Sequence, residues 1–268
     1  PMNPKIIVNT IKVAMMNHQP KLLEKYTKIS DKTSINDELL LTACGCYKYL
    51  MNEKAHAKIY LTKAIDVNPD CEIAWLSLVF IHTELSEWEQ GYTKINKMSR
   101  RFPKSREISL FAISIYLKSG SIQLAWPWIK KEEINDVFYY HEKGVALFLE
   151  GQIAQARDLF HRIIIDLTNS EKSPDHLKKQ TCDLIGSTYI NYGHCLRRLG
   201  QFTDAIDAYQ NSITFDFRQE EALASIGLTF FLLGKSDDAV VYFNQCLAIN
   251  SVHPFSTKML GTIFVSST

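Results

Sequence analysis

His141 and Glu142 open the part of the sequence that comes nearest to a catalytic motif. The order His-Glu-Lys-Gly begins like the zinc-protease motif His-Glu-x-x-His. In that motif a second histidine follows one helical turn later, so that both imidazoles bind the same metal ion. Position 145 is a valine here, and the pattern therefore predicts no metal site. The sequence also has no phosphate-binding loop, no Gly-x-Ser-x-Gly turn and no dinucleotide fingerprint, so we expect no enzyme activity and no cofactor.

The composition is that of an ordinary folded protein. The 268 residues are 46% hydrophobic and 22% charged, with a formal net charge of +1. This balance does not favour a nucleic acid as partner, although it leaves room for a local basic patch. No apolar run approaches the ~20 residues of a membrane helix, so no membrane partner is expected. The opening Pro1-Met2 indicates a fragment of a longer chain.

The six cysteines do not follow a disulfide or metal pattern. Cys44 and Cys46 are two residues apart on a predicted helix and therefore point to different sides of it. We interpret all six as reduced core thiols, which is typical of an intracellular protein.

The stretch from Gly186 to His253 repeats itself with a period of 34 residues. Four typed positions recur at this spacing: Gly193 with Gly227, Gly200 with Gly234, Ala205 with Ala239, and Tyr209 with Phe243. This is the signature of the tetratricopeptide repeat, in which two helices, A and B, form a hairpin. We expect the first glycine to allow close packing and the second to end helix A in left-handed backbone. The aromatic residue should fill the space toward the next repeat.

The same period extends over most of the chain. Residues 38–71, 72–105 and 137–170 fit it without a gap. Residues 106–136 form a 31-residue variant, in which Pro127 falls in the helix B slot and predicts a short or kinked helix.

Three other segments depart from the regular repeat. About 15 extra residues fall near 171–185, where we expect a loop followed by extra helical turns. Residues 254–268 supply one more helix A, which we interpret as a C-terminal capping helix. Residues 1–37 resemble a degenerate helical repeat or an N-terminal cap.

These repeats predict an all-α fold, a right-handed tetratricopeptide superhelix over residues 38–268 with helix A of each repeat on the concave face. The phase of helix A places a set of side chains in the resulting groove, which we expect to bind an extended peptide or a helix. The candidate residues are Tyr49, Phe80, His141, Phe148, His194 and Arg197, together with Glu142 and Asn191 beside them. Each also fits a structural role, since phenylalanines pack between repeats, histidines complete cores and arginines are often solvated.

Five segments follow the order of segments in one known family. Residues 43–51 and 57–64 are similar to Gly-Cys-Tyr-Tyr-Leu-Met and Ala-Arg-Arg-Tyr-Leu-Ser-Lys-Ala. Residues 141–145 are similar to His-Glu-x-Gly-Val, 193–199 to Gly-His-x-x-Arg-Lys-Leu, and 255–261 contain Phe-Ser-x-x-Met-Leu-Gly. In these segments the chain resembles the cell-division-cycle-sixteen (Cut-nine) family, a scaffold subunit of the anaphase-promoting complex.

The resemblance implies a non-catalytic subunit of this cell-cycle ubiquitin ligase, in the nucleus and cytoplasm. In that family the C-terminal repeats enclose the N-terminal segment of a small partner, the cell-division-cycle-twenty-six subunit, including its acetylated first methionine. The family also contacts other subunits of the complex and homodimerises through N-terminal repeats that this chain mostly lacks.

The resemblance gives each candidate residue a role. Hydrogen bonds to the partner would come from five side chains, and apolar walls from three. The hydrogen-bonding set is His141, Glu142, Asn191, His194 and Arg197, and the wall set is Tyr49, Phe80 and Phe148.

Two other interpretations stay open. The chain fits a tetratricopeptide adaptor of another complex that binds an extended or helical peptide. It also fits a repeat region attached to a catalytic domain elsewhere in a longer protein.

Overall fold

The computed structural model describes residues 3–33, 37–131, 137–170, 179–215 and 218–266. Every regular element in this described part is an α-helix, which confirms the all-α tetratricopeptide fold. The helices are α1 Pro4–Met16, α2 Lys21–Thr33, α3 Glu38–Leu50, α4 Lys54–Val67, α5 Glu72–Glu84, α6 Trp88–Arg101, α7 Arg106–Lys118, α8 Ile122–Lys131, α9 Val137–Leu149, α10 Ile153–Ser170, α11 Lys179–Arg198, α12 Phe202–Ile213, α13 Gln219–Leu232, α14 Ser236–Ile249 and α15 Pro254–Ser266.

The chain divides into two compact units. Unit 1 is Pro1–Trp128 and unit 2 is Ile129–Thr268. Consecutive helices pack against each other from α1 to α7 and from α9 to α15, and buried apolar side chains fill these contacts. No hairpin buries its apolar face alone, so the stability of each unit comes from contacts between neighbouring repeats.

The turns between helices A and B follow the predicted chemistry. Gly200 and Gly234 adopt φ of +79° and +74°, the left-handed backbone that glycine accepts without strain. The N–H of Gln201 donates to the carbonyl of Leu196 at 2.9 Å and that of Gly200 to Arg197 at 3.1 Å, which is the Schellman pattern that ends a helix. The prediction for the second glycine is therefore confirmed.

In four repeats a glycine of helix A lies directly under a bulky side chain of helix B. A Cβ added to Gly193 would lie 2.6 Å from the ring of Tyr209, and one added to Gly227 would lie 2.8 Å from Phe243. The aromatic ring therefore contacts the glycine of its own hairpin. The repeat pattern predicts only its contact with the next repeat. The core cluster around Tyr209 also contains Ala222 of α13, so the same ring reaches the following repeat as predicted.

The irregular segments are helical wherever the structure describes them. The helix that contains Pro127, α8, has 10 residues and is the shortest of the described helices, as the proline predicts. The long helix α11 has 20 residues, so the chain after Lys179 forms extra turns before the repeat resumes. The expected loop at Pro174 lies outside the described residues. The interpretation of residues 1–37 as a cap, and of α15 as a capping helix, stays a prediction.

The cysteines and the helix hydropathy add two facts. All six cysteines are free thiols, and five of them are buried. Burial raises the pKa of the Cys46 thiol to about 12, so this group stays protonated and inert. None of the described helices is both long and apolar enough to cross a membrane.

The contact between Gly193 and Tyr209 can be tested with one methyl group. We expect Gly193→Ala to lower the free energy of unfolding by about 1–3 kcal/mol, because the new Cβ forces the buried ring to move. Gly261→Ala in α15 is the matched control, since no surrounding side chain or neighbouring helix lies within 4 Å of the added Cβ. That variant should gain up to about 1 kcal/mol from helix propensity. Urea unfolding followed by circular dichroism measures both, and equal effects would contradict the close contact.

Candidate functional site

Most of the predicted groove residues lie on two A helices of unit 2. His141, Glu142 and Phe148 belong to α9, whereas Asn191, His194 and Arg197 belong to α11. These two helices are in direct contact, with α10 packed against both. We call the surface formed by these six residues the A-helix face.

His141 joins α9 to α11. Its side chain is nearly buried, and its Nε2 lies 3.0 Å from Ser187 Oγ and 3.1 Å from Asn191 Nδ2. Because the Asn191 amide nitrogen can only donate, Nε2 accepts, and in the neutral ring the proton lies on Nδ1. That nitrogen lies 3.5 Å from Glu142 Oε1. The cluster fixes the orientation of Asn191 and leaves its amide oxygen as an acceptor.

The contacts join a serine, a histidine and a glutamate in the manner of a catalytic triad. The three residues are Ser187, His141 and Glu142. Ser187 lies in the interior of α11, however, where the backbone N–H groups donate within the helix. A catalytic serine needs free donors to stabilise an oxyanion, and its base needs a lone pair that no amide shares. Asn191 already donates to that lone pair. The cluster therefore suits polar recognition and does not suit acyl transfer.

A second cluster connects α11 to helix α12. Arg197 Nε donates to Tyr209 Oη at 3.4 Å, and Tyr209 Oη lies 2.8 Å from His194 Nδ1. We assign the tyrosine proton to the bond with His194, because Arg197 and the Ser225 hydroxyl also bond to the tyrosine oxygen and together occupy its two acceptor positions. His194 then carries its remaining proton on Nε2, and no described residue hydrogen-bonds to that nitrogen.

Burial sets the charge of the second cluster. It lowers the pKa of His194 to about 4, and the neighbouring Arg197 lowers it further in the same direction. Burial also raises the pKa of Tyr209, whose ring is fully enclosed. At neutral pH the face therefore presents an uncharged imidazole N–H donor beside one guanidinium.

Phe148 supplies the apolar part of the A-helix face. Its half-buried ring lies 6.4 Å from the ring of His194, centroid to centroid. The guanidinium of Arg198 lies over the same ring at 5.8 Å, within the range of a cation–π contact. The face thus alternates hydrogen-bonding groups with one aromatic surface.

Tyr49 and Phe80 lie in unit 1, on α3 and α5. Their rings meet edge to face, with centroids 5.7 Å apart and an interplanar angle of 79°. Both are half-buried, and burial raises the pKa of Tyr49. This contact links neighbouring hairpins, so packing accounts for both residues. Their role as walls of a binding groove stays a prediction.

Two residues that hydrogen-bond to the A-helix face, Tyr209 and Ser187, were not among the predicted site residues. Tyr209 was assigned only to packing, because the repeat signature defines its ring and says nothing of its hydroxyl. Ser187 lies in the first turn of the repeat that begins at Gly186, on the same helix phase as His194 and Arg197. That phase, together with a polar residue one turn before Asn191, was the signal that could have found it. Among the described residues no group of three His, Cys, Asp or Glu side chains could hold a metal ion.

Comparison with known sequences identifies two repeats and a more distant similarity along most of the chain. The tetratricopeptide-repeat family model matches residues 186–218 and 220–253. The chain is 25% identical over 223 residues to the cell division cycle protein 16 homolog of Homo sapiens, covering 82% of this chain and 35% of that protein. It is 23% identical to anaphase-promoting complex subunit 6 of Arabidopsis thaliana, covering 82% of this chain and 39% of that protein. The chain thus spans little more than a third of the length of these curated relatives.

Comparison with solved structures shows the fold. The chain superposes on the crystal structure of the anaphase-promoting-complex hetero-tetramer Cut9–Hcn1 with a TM-score of 0.77 and 18% identity, covering 94% of this chain and 48% of that one. A tetratricopeptide repeat protein of Parabacteroides merdae gives a TM-score of 0.72 with 13% identity over 97% of this chain and 98% of that one. The tetratricopeptide fold is therefore shared with proteins of different systems.

The protonation of His194 tests the second cluster. Its pKa is lowered from 6.5 to about 4, so the unfolded chain binds a proton that the folded chain resists. The stability that His194 contributes should be complete above pH 6.5 and should be lost as the pH falls from 6.5 to about 4. We expect His194→Gln to flatten this part of the pH profile of unfolding.

The control for this variant is His56→Gln in α4, where the side chain is 65% exposed. The loss of stability that His194 causes below pH 6.5 should remain in the His56→Gln variant. An NMR titration of the imidazole carbons in the folded chain checks the same point directly. A His194 pKa at or above 6.5 would show that burial and the neighbouring Arg197 do not disfavour the protonated imidazole.

Proposed function

We propose that this chain belongs to a non-catalytic scaffold subunit of the anaphase-promoting complex, the cell-cycle ubiquitin ligase. The similarity to subunits of that complex over four fifths of the chain supports the proposal. The fold match to Cut9, solved together with Hcn1, supports the binding of a small partner subunit. Contacts with other subunits, homodimerisation through further N-terminal repeats, and residence in the nucleus and cytoplasm belong to the same proposal.

The A-helix face is the surface that we assign to this partner. An extended peptide exposes backbone N–H and carbonyl groups in alternation, and a binding surface must satisfy both. The Nε2–H of His194 donates to a peptide carbonyl, while the amide oxygen of Asn191 accepts from a peptide N–H. Both groups are held in place by bonds to Tyr209 and His141 respectively. This preorganised donor and acceptor pair is the observation that carries the assignment.

The rest of the face fits an N-terminal segment that begins with an acetylated methionine. Acetylation removes the positive charge of the amine, which would otherwise lie near the guanidinium of Arg197. The terminal nitrogens of Arg197 donate to carbonyl groups, since only its Nε is directed to Tyr209. Phe148 provides an aromatic surface for a thioether side chain.

A peptide titration tests the assignment. The probe is the first segment of the small partner, about 12 residues long, with and without N-terminal acetylation. We expect the acetylated peptide to bind more tightly, and the double variant His194→Ala, Arg197→Ala to weaken binding by at least about tenfold, because two hydrogen bonds are lost. Isothermal titration calorimetry measures both.

Arg162→Ala is the control for lost charge, because this arginine lies on α10 with 76% of its side chain exposed. It should bind the peptide like the parent chain. Circular dichroism must show that the double variant keeps its helices. Binding that is unchanged in the double variant would overturn the residue assignment. Absence of binding by either peptide would favour an adaptor of another complex.

A further inference from the structure

Unit 1 contains a cavity of about 400 Å³ between α4, α5 and α6 that the proposed function does not use. Leu78 forms its apolar part, and polar groups of the two B helices surround the opening. The residues that matter to the argument are Thr62, Leu78, Glu89, Gln90, Thr93 and Lys94. The cavity is too large for a single ion and matches a small ligand with an anionic end.

The charges around the cavity leave one cation without a partner. Lys58 lines the cavity but is neutralised by Glu87, whose carboxylate oxygens lie 2.8 and 3.0 Å from its Nζ. The same carboxylate faces His82 Nδ1 at 2.6 Å. Lys94 lies over the ring of Trp75, at 5.6 Å from the centroid, and forms no ion pair within the described part of the chain. Burial lowers the pKa of Lys94 and the nearby Lys97 lowers it further, whereas Asp66 acts in the opposite direction.

The surrounding surface has the same sign. Unit 1 carries 17 Lys and Arg residues against 12 Asp and Glu, a formal net charge of +5. Helix α6 continues this charge beyond the cavity with Lys97 and Arg100, both outside the cavity lining. An anionic ligand is therefore attracted over a distance of about a Debye length before it reaches Lys94.

We propose that this cavity binds the phosphate monoester of a phosphorylated threonine or serine in a partner protein. A phosphate monoester carries about two negative charges and three acceptor oxygens. Lys94 supplies the charge, while the hydroxyls of Thr62 and Thr93 and the amide of Gln90 supply further donors.

The threonine hydroxyls are available to such a ligand. Thr62 Oγ1 donates to the carbonyl of Lys58 at 2.8 Å, and Thr93 Oγ1 to that of Glu89 at 2.9 Å. Both bonds run back one turn to carbonyls that already accept within their helices. Rotation of the hydroxyls toward the cavity therefore leaves no backbone group without a partner.

The carboxylates near the cavity distinguish a phosphoprotein from a nucleic acid. Glu89 lies in the cavity wall, and Asp66 is near enough to Lys94 to act on its charge. A nucleic acid presents one phosphate after another and would meet these carboxylates along its path. A single phosphorylated side chain is opposed only by the carboxylates beside Lys94. The site lies on the B helices, so it is independent of the peptide-binding proposal for the A-helix face.

The experiment uses the full 268-residue chain with labelled threonine methyl groups. The probes are capped phosphothreonine, capped threonine, inorganic phosphate and a single-stranded DNA. We expect capped phosphothreonine to shift the Thr62 and Thr93 methyl signals in NMR spectra and to bind about tenfold more tightly than each of the other probes. Equal binding by inorganic phosphate, or tighter binding by DNA, would overturn the proposal.

Variants that each remove one charge test which groups strengthen and which weaken binding of the phosphate. Lys94→Met keeps the aliphatic stem on Trp75 and should weaken binding about tenfold, whereas Lys97→Met removes the same charge outside the cavity and should change it less than about twofold. Glu89→Gln should tighten binding, and it keeps the test decisive if Lys94→Met fails to fold. Equal losses in the two lysine variants, or no gain from Glu89→Gln, would contradict a site centred on this cavity.

Discussion

The contact between Gly193 and the ring of Tyr209 is the constraint on which unit 2 depends. The glycine lets α12 approach α11 so closely that a single methyl group would overlap the ring. The ring then fills the core that leads into the next repeat. Its hydroxyl, held at the end of this packed ring, meets both His194 and Arg197. One buried side chain therefore stabilises the hairpin and orients the donors of the candidate site, so fold and site share the same support.

The sequence alone predicts the packing better than it predicts the polar contacts. A 34-residue period identifies the positions that need a small side chain, left-handed backbone or a bulky side chain. The structure confirms the left-handed backbone at Gly200 and Gly234. The bond between His141 and Ser187 joins residues 46 positions apart, across an insertion that breaks the period. No repeat signature defines such a pair. The direction of the Tyr209 hydroxyl is equally hidden, because phenylalanine meets the same packing requirement in the next repeat at Phe243.

The near-neutral net charge of the chain is the sum of two units with opposite charges. Unit 1 has a formal charge of +5, and unit 2 has 13 basic and 17 acidic residues, a charge of −4. The A-helix face of unit 2 presents an uncharged imidazole and an amide, groups that give direction to a hydrogen bond. The cavity of unit 1 carries the half-buried ammonium of Lys94, whose charge attracts anions from any direction. Repeat folds accommodate both because each hairpin carries two separate surfaces.

The central claim is that His194 donates from Nε2 to the bound N-terminal segment of the small partner. The most direct measurement is the NMR signal of the His194 imidazole nitrogens and their proton during addition of the acetylated peptide. The account predicts that the Nε2 proton moves downfield and becomes protected from exchange with water, while Nδ1 keeps the shift of an acceptor. A peptide that binds without changing these signals would contradict the claim and would place the binding surface on another face of the repeats.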